Sequence, residues 1–170
     1  MKILFVCTGN TCRSPMAEGI FRRFIENNGM QEQLFCQSAG LSAVEGSPAS
    51  EYAVKVMGEA GYDLSCHRAR KICADDMAAW DLYFPMTATH GYILEQAGVP
   101  VNRIYIPKEI FDPYGMGIEE YRNCRDILEK EVRLFYNDMV QRQLIAESHK
   151  MPPFLGHGEN PRKKMERKWK

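Results

Sequence analysis

The chain predicts an α/β domain in three layers: a four-stranded parallel sheet with helices on both faces. Three observations carry this expectation. Apolar runs of strand length alternate with segments of helical period, as when crossover helices connect parallel strands. The first run, Ile3-Leu4-Phe5-Val6, is continuously apolar, as in a strand buried on both faces. The length of 170 residues and the 45% hydrophobic content suit one domain with a substantial core.

The elements follow in order. Residues 2–7 read as the first strand. A helix over 13–27 is expected because Ala17, Ile20, Phe21, Phe24 and Ile25 recur on one helical face; Asn28-Gly29 stops it. Residues 34–38 form a second short strand ended by Ala39-Gly40. Ser47-Pro48 opens a second helix whose apolar face holds Tyr52, Ala53, Val56, Met57 and Ala60, and Gly61 closes it. Residues 75–80 form a short helical turn. Leu82-Tyr83-Phe84 is the third strand, closed by Pro85. Residues 87–97 are helical up to Gly98 and Pro100, and Arg103-Ile104-Tyr105-Ile106 is the fourth strand. Ile118, Tyr121, Cys124, Leu128, Val132, Phe135 and Met139 mark a long final helix.

Bulk properties narrow the function classes. The formal net charge is zero, so no global field draws the chain to nucleic acid or to a membrane surface. No apolar run approaches the roughly 18 residues of a membrane span, and no signal-peptide pattern opens the chain. A cytoplasmic location is expected, with the six cysteines mostly as thiols. No Cys/His spacing implies a metal, and no cofactor is implied. Residues 1–145 read as the folded domain. Residues 146–170 change character, with Met151-Pro152-Pro153 followed by a basic run from Arg162 to Lys170. A flexible, solvated tail is the favoured reading; a basic arm for an anionic partner is the sharper one.

The chemistry concentrates in Cys7-Thr8-Gly9-Asn10-Thr11-Cys12-Arg13, followed by Ser14-Pro15. Cys7 falls at the carboxyl end of the first strand, where open parallel sheets bind ligands. A tight loop leading into a helix N-terminus attracts an oxyanion through converging backbone N–H groups. The same field is expected to lower the pKa of Cys7 and keep it as thiolate. Gly9 can adopt φ > 0, and Asn10 is next most tolerant of it. Arg13 offers a permanently charged fork for two phosphate oxygens. Ser14 is suited to cap the helix or to donate its hydroxyl to the thiolate, and Pro15 fits the first helical turn.

Residues 1–24, MKILFVCTGNTCRSPMAEGIFRRF, resemble the opening of the low-molecular-weight protein tyrosine phosphatases and their relatives, which include protein-arginine phosphatases and thioredoxin-linked arsenate reductases. Phe111-Asp112-Pro113-Tyr114-Gly115 is similar to the family's general-acid loop; Ser38-Ala39-Gly40 and His67-Arg68-Ala69-Arg70 are weaker matches. The likeness runs over about residues 1–140.

The resemblance implies a phosphate loop after the first strand and hydrolysis of a phosphorylated protein through a phosphocysteine at Cys7. Arg13 and the loop residues Thr8, Gly9, Asn10, Thr11 and Cys12 would hold the oxyanion, inorganic phosphate or a similar ion included. Asp112 would serve as general acid, and Tyr114 as a wall of the pocket. Asn10, Ser14, Ser38 and His67 would brace the loop; taken alone, His67 reads as an ordinary histidine. Cys12 is either a redox partner protecting Cys7 or a small loop residue. Thr11 matches the arginine-phosphatase branch, where tyrosine phosphatases carry a bulkier aliphatic residue. Gly115 after Tyr114 also departs from the animal tyrosine phosphatases, although Tyr114 stands where the arginine branch has phenylalanine. Phosphoarginine is thus favoured over phosphotyrosine. Arsenate reduction is the main alternative: Cys66 and Cys73 have the relay spacing, but they precede the third strand instead of following it. A catalytically silent phosphoprotein-binding module is the third reading.

Overall fold

A computed structural model describes residues 1–108 and 110–148. Three parallel strands form the sheet: β1 (Lys2–Cys7), β2 (Phe35–Gly40) and β3 (Leu82–Pro85), in the order β2-β1-β3. The helices are α1 (Arg13–Asn27), α2 (Glu51–Glu59), α3 (Asp76–Ala79), α4 (Ala88–Gln96) and α5 (Ile118–Ser148). The central strand, β1, pairs Cys7 with Gly40 on one side and Val6 with Pro85 on the other. Its carboxyl end therefore lies between the segments that follow β2 and β3.

The side chains of β1 alternate between two cores, as the pleat requires. Ile3, Phe5 and Cys7 pack with α1, α2 and α5; Leu4 and Val6 pack with Trp80, Tyr83, Leu94 and Val99. The Phe5 ring sits 5.5 Å from Phe21 and 5.2 Å from Phe84, both in tilted geometry. Such pairs add about 0.5–1.5 kcal/mol to the area they bury. This rigid core fixes where the chain leaves β1.

The expected fourth strand does not form. Val101–Arg103 is a turn of 3-10 helix, and Ile104 makes a single parallel bridge to Tyr83. Pro100 and Pro107 bracket the segment, and a proline offers no ladder donor, so the pairing cannot extend. Helix α2 begins at Glu51, capped by Ser50, and not at Ser47-Pro48. Residues 46–48 are instead occupied by residues 68–69, with Ala69 N–H donating to the Ser47 carbonyl at 2.7 Å. Helix α5 runs through residue 148, past the expected end of the domain at 145. The tail from 149 lies outside the described residues.

Candidate active site

Cys7 ends β1 and is 3% exposed, at the floor of a cavity of about 550 Å³ that Thr8, Thr11, Arg13, Asp112 and Tyr114 also line. Its Sγ accepts the Asn10 N–H at 3.2 Å and lies 2.9 Å from Ser14 Oγ. Asn10 turns the chain with φ of 55°, the left-handed conformation. Gly9, the expected left-handed residue, does not take it. Asparagine tolerates this region because its side chain hydrogen-bonds locally, and here that side chain is saturated. Ser14 does not cap the helix: the N-cap is Cys12, whose side chain makes no capping hydrogen bond, and Ser14 lies inside the first turn facing the thiol.

Asn10 ties the loop together. Its Nδ2 donates to Ser14 Oγ and to Ser38 Oγ, each at 2.9 Å, and its Oδ1 accepts the Arg70 N–H at 2.9 Å. His67 Nε2 is 2.7 Å from the Asn10 carbonyl. Ser38 Oγ in turn donates to Glu18 Oε2 at 2.6 Å. The structure thus brings Asn10, Ser14, Ser38 and His67 into one network. Buried polar groups with all partners in place rigidify a site. Gly40 allows the close approach: a Cβ there would lie 2.6 Å from the Thr8 carbonyl oxygen and 3.0 Å from the Asn10 nitrogen.

At the cavity rim, the Arg13 guanidinium donates to the Asp112 carboxylate and, at 3.5 Å, to the Ile110 carbonyl. Ninety-nine residues separate Arg13 from Asp112, so the loop before α5 folds back over the phosphate loop. Asp112 Oδ1 accepts the Tyr114 N–H at 3.2 Å, while the Tyr114 ring is 72% exposed at the mouth.

The Cys7 pKa is not lowered as the sequence leads one to expect. Burial raises it and outweighs the Ser14 hydroxyl, the Ser14 and Asn10 amides and the Arg13 charge, all of which lower it. Arg13 is paired with Asp112, so its field at the sulfur is partly neutralised.

Cys12 also lines the cavity, with Sγ 3.2 Å from both Ser50 Oγ and Tyr121 OH; Cys7 and Cys12 are free thiols. Cys73 is held in the turn before α3, its N–H donating to Asp76 Oδ2 at 2.8 Å. Sequence reasoning assigned no site role to Glu18, Gly40, Ser50, Arg70, His90 or Tyr121. Gly40 and Arg70 left a trace in the two weaker family matches, and Tyr121 in the apolar face of the last helix.

Residues 2–146 match the family model described as low molecular weight phosphotyrosine protein phosphatase. A protein-arginine-phosphatase of Bacillus subtilis is 35% identical over 142 residues, spanning 78% of this chain and 93% of that protein. The crystal structure of a low molecular weight protein tyrosine phosphatase from T. tengcongensis is 37% identical, with a TM-score of 0.75, covering 81% of this chain and 99% of that one. A YwlE arginine phosphatase mutant with a phosphorylated active-site serine is 32% identical, with a TM-score of 0.76, covering 82% of this chain and 95% of that one. With its cysteine-floored loop and a family match over most of its length, this chain belongs to the low molecular weight phosphotyrosine protein phosphatase family.

Proposed function

We propose that the chain hydrolyses phosphorylated protein side chains, phosphotyrosine and phosphoarginine, with phosphoarginine favoured. The observation that carries this is Cys7 at the cavity floor, receiving the Asn10 N–H and facing the Ser14 hydroxyl, with Arg13 and Asp112 at the rim. The oxyanion takes over Arg13 and frees the Asp112 carboxylate, which receives the proton that leaves the Cys7 thiol by way of the bound phosphoryl oxygens. The sulfur then attacks phosphorus in line, and the P–S bond of the phosphocysteine forms as the P–O or P–N bond to the substrate breaks. Arg13 and the amides of residues 8–13 hold the equatorial oxygens where charge develops. Asp112 gives its proton to the leaving atom, then takes one from the water that attacks the phosphocysteine. Ser14 stabilises the sulfur as it departs in the second step. Asn10, Ser38 and His67 keep the loop in shape between steps.

Inorganic phosphate or a similar oxyanion binds the same loop as product, and no metal or cofactor takes part. Residues 1–145 act as the catalytic domain in the cytoplasm, and residues 146–170 form its basic tail. Thr11 supports the substrate preference. It lines the cavity, where its hydroxyl can orient a guanidinium. Relatives named protein-arginine-phosphatase match at 35% and 36% identity. The test compares turnover of phosphotyrosine and phosphoarginine peptides by the wild type and Thr11→Ile. The substitution is expected to shift preference toward phosphotyrosine by about tenfold, the worth of one hydrogen bond left unmade to a charged group. An unchanged ratio would remove Thr11 as the selector.

A further inference from the structure

The phosphate loop is held from two sides, and the second brace involves residues with no assigned role. On the β2 side stands the Asn10 network. On the β3 side stands His90, in the first turn of α4 and 7% exposed. Its Nε2 lies 2.9 Å from Thr8 Oγ1, and its Nδ1 lies 2.9 Å from Thr87 Oγ1. Thr87 is also the N-cap of α4, accepting the His90 N–H at 3.3 Å. The Thr8 carbonyl is fixed independently by the Ser42 N–H at 2.9 Å. The residue directly after the nucleophile is therefore held by both its side chain and its backbone. Strand order explains the arrangement, because β3 lies beside β1 and delivers the start of α4 to the loop.

Two hydroxyls suit a neutral imidazole, which has one donor and one acceptor. Burial and the Arg13 charge hold His90 neutral by pushing its pKa down to about 4, against a smaller opposing pull from Asp112.

We infer that His90 is a positioning residue: by gripping the Thr8 hydroxyl it sets the first amides of the phosphate loop for the transition state. The inference rests on the phosphatase reading above. Phosphate and transition state both meet these amides, but only interactions stronger in the transition state raise kcat. A displaced Thr8 should therefore lower kcat more than ground-state binding.

The test uses Thr8→Val, His90→Asn, His90→Gln and the double variant T8V/H90N. Asparagine is too short to reach Thr8 and can serve only Thr87, whereas the glutamine amide extends to where Nε2 lies. T8V and H90N are each expected to lower kcat for an aryl phosphate by roughly 5- to 10-fold, the worth of one buried hydrogen bond. The affinity for inorganic phosphate should stay within about twofold, as for an interaction made only in the transition state. H90Q should restore most of kcat, and the double variant should be no worse than either single one. Orthovanadate, which becomes five-coordinate on the thiolate, should weaken in T8V and H90N by the same factor as kcat, read by calorimetry. Unchanged kcat and vanadate affinity in T8V and H90N, additive losses in the double variant, or H90Q as impaired as H90N would overturn the inference. Vanadate binding needs no turnover. A wild type that binds vanadate but hydrolyses nothing would sink the phosphatase reading, and the vanadate series would still decide the role of His90.

Discussion

Replacing Asp112 by asparagine removes the carboxylate that pairs with Arg13, and the consequence for oxyanion binding can be worked from the geometry. The Arg13 side chain is 6% exposed and that of Asp112 is 47% exposed, so the pair is neither dry nor fully solvated. Exposed ion pairs contribute about 0.2–1 kcal/mol, and hydrogen bonds to charged groups about 1.5–3 kcal/mol. A half-solvated pair falls between these, at about 1–2 kcal/mol. A phosphate dianion held by the guanidinium competes with this pair and also meets the Asp112 charge. The D112N variant should therefore bind inorganic phosphate about 5- to 30-fold more tightly, at roughly 1.4 kcal/mol per decade. Calorimetry at neutral pH measures this directly. The gain should shrink as salt rises, because the Asp112 side of the pair is exposed to screening. Equal or weaker phosphate binding in D112N would refute the reasoning, since it would mean that the ion pair does not compete with the oxyanion.

Two further outcomes follow from the site. Asn10→Ala removes donors to Ser14 and Ser38 and an acceptor for the Arg70 N–H. It also replaces a left-handed asparagine, so unfolding free energy should fall by about 2–4 kcal/mol, measured by urea denaturation. A loss under 1 kcal/mol, about the worth of one ordinary hydrogen bond, would show that the network does not hold the loop. His90 gives a pH signature. Its pKa falls from the ordinary 6.5 to about 4 in the folded chain, so between these values the unfolded chain binds a proton that the folded chain does not. Its contribution is therefore fully present above about pH 6.5 and is lost as pH falls toward about 4. Denaturation midpoints across this window should be less acid-sensitive in H90Q than in the wild type, and parallel profiles would contradict the shift.

The local part of the site was legible because it is chemically local. Cys7, Asn10, Arg13 and Ser14 lie within eight residues, and their spacing around a strand end already dictates a loop that gathers donors. The partners that hold the loop were not legible. Arg70 and His90 reach it, and Ser38 meets Glu18, only because β1 lies between β2 and β3, a consequence of strand order that no local pattern encodes. Gly9 and Asn10 illustrate a finer failure. Propensity favours glycine at φ > 0, but the hydrogen bonds that saturate the Asn10 side chain move the left-handed residue one place on. The fourth strand failed for a different reason: Ile104 and Tyr105 are buried, yet the flanking prolines limit the segment to one bridge. The Cys7 pKa shows the same limit, because burial is a property of the assembled core and outweighs the loop field.

The central claim is a covalent phosphoryl group on the Cys7 sulfur, and rapid-quench mass spectrometry of the enzyme mixed with an aryl phosphate tests it most directly. The account expects one phosphoryl group on the peptide carrying Cys7 within the first turnover, and none in Cys7→Ala. Hydrolysis that proceeds with no such adduct, or that survives in Cys7→Ala, would contradict it.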